Sequence, residues 1–266
     1  MDVSTQLTYV VRQDTRPGFY NYKPPADAPE RAPQTERINV VVQDARSVMG
    51  SLGLDQEGIE IVSLNTKADD LYDEAQVENI YLREVEALVR EHTGASRVFA
   101  FDYNLRNRVR AETDKKVQKP VTFVHNDYTH GSGPQRVRDL VSGEEAEALI
   151  SRRFAVINVW KPIVGPVQQS PLAVCDAASM SAADFIETDL LYPDRNGEIY
   201  SVAHNKSHRW FYVSDMQADE AMLLKCYDAD ESGVARFTAH SAIEIPGVEE
   251  DAPPRESIEV RTLVFW

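Results

Sequence analysis

From Pro120 to the C-terminus the chain repeats one pattern: a short β-branched or aromatic run, a turn signal, then another run. The segments are 121–124, 154–160, 172–175, 198–202, 208–213, 222–227, 235–239 and 258–265. Short strands at fairly even spacing favour a sandwich or barrel over a parallel α/β sheet. The expected fold is mainly β with peripheral helices (α+β). Its core is a double-stranded β-helix, the eight-stranded jelly roll of cupin-like proteins. Asp194-Arg195-Asn196-Gly197 supplies one turn, with Gly where positive φ is needed. Ser142-Gly143-Glu144-Glu145 reads as a capping box opening a short helix to Ile150.

The part before Pro120 reads differently. Residues 1–36 are rich in Pro, Arg and Asp and suggest an extended arm with one strand near 7–11. Residues 37–119 form a helical and strand support region. Within it 38–42 is a strand, and 70–90 is the clearest helix. Val77, Ile80, Tyr81, Val85, Leu88 and Val89 lie on one face there, and Gly94 caps the end. Residues 98–101 are a strand, and 104–119, charged and aperiodic, a mobile loop. Residues 245–254 are an acidic, proline-containing loop. Residues 1–266 are read as a single domain with the jelly-roll core at 120–266.

A net charge of −15 argues against a phosphate-backbone partner, because such binding relies on clustered Lys and Arg. It also argues against an anionic membrane surface, and no run reaches the apolar length of a membrane span. Neither nucleic acid nor membrane is an expected partner. Cys175 and Cys226 form no C-x-x-C pair. With no apolar leader after Met1, they read as buried free thiols in a cytoplasmic protein.

His125-Asn126-Asp127 sits at the end of the 121–124 run, and His240 follows the 235–239 run. Residues two apart in a strand point the same way, so His125 and Asp127 aim together and Asn126 aims away. Two imidazoles and one carboxylate hold one face of iron(II) and leave the other open. His130 is a loop cap or a fourth polar group, His204 and His208 flank an exposed turn, and His92 ends the helix at 70–90.

Arg255, Ser257, Glu259 and Arg261 alternate along the last strand. Arginine presents a planar fork that grips a carboxylate bidentately, and Ser257 adds a donor. Arg255 is the first choice for the distal carboxylate of 2-oxoglutarate. Arg261 lies about 20 Å further along an extended strand. It is a weaker choice, with pairing to Glu259, Asp176 or Asp228 as its alternative. Arg138, Asn158, Trp160 and Tyr103 are candidates for lining the mouth of the site, and Arg138 has a surface salt bridge as its competing reading.

Several strings of this sequence resemble a known group. They include His125-Asn-Asp-Tyr-Thr-His, Gly133-Pro-Gln-Arg-Val-Arg-Asp-Leu, Ile157-Asn-Val-Trp-Lys-Pro-Ile, Gly165-Pro166-Val167 and Pro171-Leu-Ala-Val-Cys-Asp. Tyr192-Pro-Asp-Arg, His208-Arg-Trp-Phe-Tyr, Leu224-Lys-Cys-Tyr-Asp and Pro254-Arg-Glu-Ser-Ile-Glu-Val-Arg continue the match in order. They are similar to the gibberellin desaturase-like and cephamycin 7α-hydroxylase-like proteins of specialised metabolism. The resemblance implies an iron(II)- and 2-oxoglutarate-dependent oxygenase using O2 to oxidise an unactivated C–H bond of a small molecule. It implies His125, Asp127 and His240 as metal ligands and Arg255 with Ser257 as the oxoglutarate grip. Two other readings use the same scaffold: an inactive small-acid binding protein, and a metalloenzyme independent of the oxo-acid. Substrate, oxidation outcome and oligomeric state are not legible.

Overall fold

The computed structural model describes residues 1–249 and 251–266; Glu250, inside the expected acidic loop, lies outside the described residues. In chain order the strands are β1 (Val3–Val10), β2 (Gly18–Tyr20), β3 (Thr35–Asp44), β4 (Ile59–Ser63), β5 (Arg97–Arg106), β6 (Val117–Gln118), β7 (His125–Asn126) and β8 (Phe154–Pro162). They continue as β9 (Leu172–Cys175), β10 (Phe185–Leu191), β11 (Asn196–Val202), β12 (Trp210–Tyr212), β13 (Glu220–Asp228), β14 (His240–Ala242) and β15 (Ser257–Phe265). One sheet of nine strands runs β1-β3-β12-β9-β14-β7-β11-β10-β2, and one of six runs β4-β13-β8-β15-β5-β6. The two sheets make the jelly roll.

The apolar pattern explains the layering. Every residue of β8 is buried, because both faces of the six-stranded sheet are covered. Phe154, Val156 and Trp160 face the interior between the sheets, while Ala155, Ile157 and Val159 face the helices. Along β15, Leu263 and Phe265 point inward and Ile258, Val260 and Val264 point to the helices. Ser257, Glu259 and Arg261 share the inward parity, and this carries polar groups into the interior.

The helical layer is α1 (Glu74–Gln76), a π turn over Val77–Tyr81, and α2 (Leu82–Thr93). Asp73 caps the start by accepting from the Ala75 N–H. Gly94 ends α2 at φ 66°, as its position suggests, with its N–H bonded to Arg90 O. Val85, Leu88 and Val89 bury one stripe. At about 1.5–3 kcal/mol per buried side chain, that contact outweighs the marginal stability of so short an isolated helix. Two further helices, α3 (Ser132–Leu140) and α4 (Gly143–Ile150), follow β7. No helix among the described residues is long and apolar enough to cross a membrane.

Three expectations change. The first 36 residues contribute β1 and β2 to the nine-stranded sheet, and β1 pairs with β3 along its whole length. Both sheets therefore use strands from before Pro120. Residues 104–119 are not a plain loop: β5 runs to Arg106, Asn107 and Val117 are buried, and β6 pairs parallel with β5. The runs 121–124 and 235–239 are mostly irregular leads into β7 and β14, with Val124 N–H bonded to Thr8 O. β10, absent from the sequence reading, pairs with β11 as a hairpin.

Candidate metal and co-substrate site

β7 and β14 are neighbours, and His240 is the direct cross-strand partner of His125. Their rings lie 4.5 Å apart between centroids. Each Nδ1 faces a backbone carbonyl two residues earlier: His125 to Phe123 O at 2.9 Å, His240 to Thr238 O at 3.1 Å. A proton on each Nδ1 leaves both Nε2 lone pairs free and aims them at one point. Asp127 meets them there, its Oδ1 3.6 Å from His125 Nε2 and 4.0 Å from His240 Nε2. Ligand atoms of all three lie within 4.8 Å of one another, and no other such group occurs among the described residues. Burial and the neighbouring His240 push the His125 imidazole down to about 3, which keeps it in the neutral, ligating form.

The other oxygen of Asp127 is held from behind. Oδ2 accepts from Asn158 Nδ2 at 2.8 Å and from Arg261 Nε at 3.3 Å. Arg261 is fixed in turn by Asp102 at 2.6 Å and by the Asn104 amide oxygen, which accepts from its Nη2 at 2.6 Å. Burial alone would raise the Asp127 carboxyl, but Arg261 and the two imidazoles outweigh it and hold it well below the usual carboxylate range. Asn126, aimed the other way, bonds Tyr128 O and Cys226 O and accepts from the Thr238 N–H. It ties the approaches of both metal-bearing strands to β13.

A narrow cavity joins the triad to Trp160, Arg255, Arg106 and Glu259. Arg255 and Ser257 are buried. Arg255 Nη1 donates to Ser170 O at 2.7 Å, but its Nε and the Ser257 hydroxyl have no partner among the described residues. Each such buried group costs about 1–3 kcal/mol unless something bonds it. Burial and the nearby Arg106 lower the Arg255 pKa, and Glu259 in the same cavity offsets this only in part. These groups fit the proposed cofactors: two imidazoles and one carboxylate converge for iron(II), and two orphaned donors wait for a carboxylate.

The remaining sequence candidates divide between the site and positions away from it. Arg261 braces Asp127 and lies apart from the Arg255 cavity. Asn158 does the same from β8, and Trp160 lies under Arg255, its ring centroid 5.5 Å from Cζ. Tyr103 faces the helices, because a bulge pairs Arg261 with Asp102 but Thr262 with Ala100. That bulge puts Phe101 inside and Tyr103 outside, although they are two residues apart. Arg138 is exposed and pairs with Glu147 at 2.7 Å. His208 is not exposed at its side chain: it bonds Asp184 and Tyr9 in the core. Sequence reasoning missed Arg106 because 104–119 reads as a loop. The alternation of Asn104 and Arg106 with Tyr103 and Leu105 is the signal that marks it as inward.

A second, larger cavity of about 890 Å3 opens on the far side of Asp127, between α3 and the β10–β11 hairpin.

Known proteins agree with this geometry. The family described as "Oxidoreductase/YMDC permease-like domain" matches residues 7–265. Hydroxylase/desaturase efuI of Hormonema carpetanum is 34% identical over 250 residues, covering 85% of this chain and 83% of that protein. The Fe(II)/2-oxoglutarate-dependent dioxygenase nvfI of Aspergillus novofumigatus is 34% identical over 233 residues, covering 84% and 81%. The solved structure of the iron and alpha-ketoglutarate-dependent endoperoxidase NvfI superposes with a TM-score of 0.89 at 29% identity, covering 99% of this chain and 98% of that one. The chain belongs to this oxidoreductase family and is an iron(II)- and 2-oxoglutarate-dependent dioxygenase.

Proposed function

We propose that this enzyme oxidises a C–H bond of a small molecule in specialised metabolism, by hydroxylation, desaturation or ring formation. His125, Asp127 and His240 hold the iron. Arg255 and Ser257, with Arg106 beside them, hold the distal carboxylate of 2-oxoglutarate. The observation that carries the reading is one cavity lined by the triad and by Arg255, whose buried Nε has no partner among the described residues, with the unpartnered Ser257 hydroxyl two residues further on. When bound, iron(II) with 2-oxoglutarate and O2 supplies the oxidising power, and succinate and CO2 are the co-products.

The protein's own part is placement. The paired strands β7 and β14 fix both imidazoles, and Asn158 and Arg261 fix the carboxylate through Oδ2 so that Oδ1 faces the metal. Trp160 walls the co-substrate space against water. The larger cavity, which Asp127 also lines, is the space proposed for the substrate. Support for a specialised-metabolite substrate comes from relatives such as Aspirochlorine biosynthesis protein N of Aspergillus oryzae, 43% identical over 126 residues. A cytoplasmic setting is part of the reading, on the two buried free cysteines.

The test is 2-oxoglutarate-dependent O2 uptake with succinate release by the iron-loaded protein, lost in His240→Ala. Iron-loaded, folded protein that takes up no O2 with any candidate substrate and 2-oxoglutarate would overturn the reading.

A further inference from the structure

The larger cavity carries many charges, and nearly all of them are satisfied within the protein. Asp189 accepts from Arg16 Nε at 2.8 Å and Arg31 Nη2 at 2.5 Å, both from the first 36 residues. Glu198 is bound by Arg16 and by the Thr129 hydroxyl. Asp102 is bound by Arg261, and Asp139 accepts from Gln135 Nε2 at 2.8 Å. Asp127 faces the metal position. The acids lining this space are therefore committed.

Two cations are less fully engaged. Arg136, half-buried on α3, makes a long ion pair with Asp139 at 3.7 Å and lies 5.7 Å from the Phe101 ring centroid, while its Nε is buried with no hydrogen-bond partner among the described residues. Arg195, in the turn between β10 and β11, makes no ion pair among the described residues and lies 4.2 Å over the Tyr192 ring. Stacking on an aromatic face orients a guanidinium while leaving its in-plane donors free. Both arginines line the cavity, Arg136 from the helix wall and Arg195 at the exposed rim, with Asp127 at the buried end. Arg138 cannot do this work, being about 200° around the helix from Arg136.

From this we infer that the substrate is a carboxylic acid, bound as its carboxylate between Arg136 and Arg195, with the carbon to be oxidised placed beside Asp127. The inference rests on the function proposed above. A forked guanidinium prefers a carboxylate over a neutral carbonyl, because the bond is charge-assisted and bidentate. Around the committed acids, Tyr128, Leu190 and Ile199 give the rest of the molecule apolar wall.

The experiment uses the full chain with iron(II) and 2-oxoglutarate, without O2. Abietic, podocarpic and mycophenolic acids are each presented beside their methyl esters, and binding is read by ligand-observed NMR. The expected result is binding of acids over esters, weakened roughly tenfold by either Arg195→Gln or Arg136→Gln. Arg195 is exposed, so Arg195→Gln serves where Arg136→Gln folds poorly. Equal binding of acid and ester, binding of neither, or an acid preference that survives both substitutions would each overturn the inference. The visible absorption band of the iron–oxoglutarate chelate in the same samples separates the two failures. If the wild-type band is absent, the proposed function fails; if it is present without acid preference, only the substrate class fails.

Discussion

Arg255, two residues before β15, and Arg261, within it, are six residues apart, yet their surroundings are opposite. Arg261 is fully engaged: Asp127, Asp102 and Asn104 surround it, and although burial alone would lower its pKa, Asp127 and its neighbours raise it above the usual value. Arg255 has one backbone carbonyl, an orphaned Nε and a lowered pKa. An arginine surrounded by protein acids builds the site. An arginine left short of them has donors to spare, and the proposed function gives those to 2-oxoglutarate. A side chain's residual hydrogen-bonding capacity, more than its type or its face, separates a structural from a ligand-binding role here.

The largest effect that sharpens this contrast is on Arg261. Removing one partner of a buried ion pair strands the other, at a typical cost of about 3–5 kcal/mol. Arg261→Met is expected to lower the unfolding free energy on that scale in chemical denaturation and to weaken iron binding. Unchanged stability and iron affinity would end its role as a brace. Arg255→Met should do the reverse. Stability holds or rises, since an underpaired buried cation is lost, while 2-oxoglutarate affinity falls roughly ten- to hundredfold by calorimetry. Ser257→Ala should weaken 2-oxoglutarate several-fold, as expected for a neutral donor worth about 0.5–1.5 kcal/mol, with no loss of iron. Arg138→Ala, at the exposed Glu147 pair, should change neither melting temperature nor 2-oxoglutarate affinity.

The sequence carries the metal site well, because period-two alternation is local: His125 and Asp127 share a direction whatever the rest of the chain does. His240 is legible as a strand-end histidine, but its pairing opposite His125 is a long-range fact. Arg255 and Ser257 are legible by the same parity. Arg261 has the right face and the wrong partner, since nothing in the alternation says that Asp102, Asn104 and Asp127 converge on it. Tyr103 fails for one residue: the bulge opposite Arg261 resets the parity of β5. Arg138 takes its competing reading, an exposed ion pair with Glu147, because the chain forms α3 there and helical phase turns it outward. The early strands are hidden for a related reason. The prolines of the first 36 residues dominate composition, but β1 keeps the buried residues Val3, Leu7, Tyr9 and Val10 and pairs as a full strand.

The claim that one cavity joins an iron triad to an oxoglutarate grip is tested most directly by an anaerobic titration. Iron(II)-loaded wild-type, Arg255→Met and Arg261→Met proteins receive increasing 2-oxoglutarate while the weak visible absorption of the chelate is followed. A saturable band in wild type, shifted to much higher 2-oxoglutarate in Arg255→Met, is the predicted result, with Arg261→Met losing intensity in step with its iron. No band in folded, iron-loaded wild type, or an Arg255→Met curve that overlays it, would contradict the account.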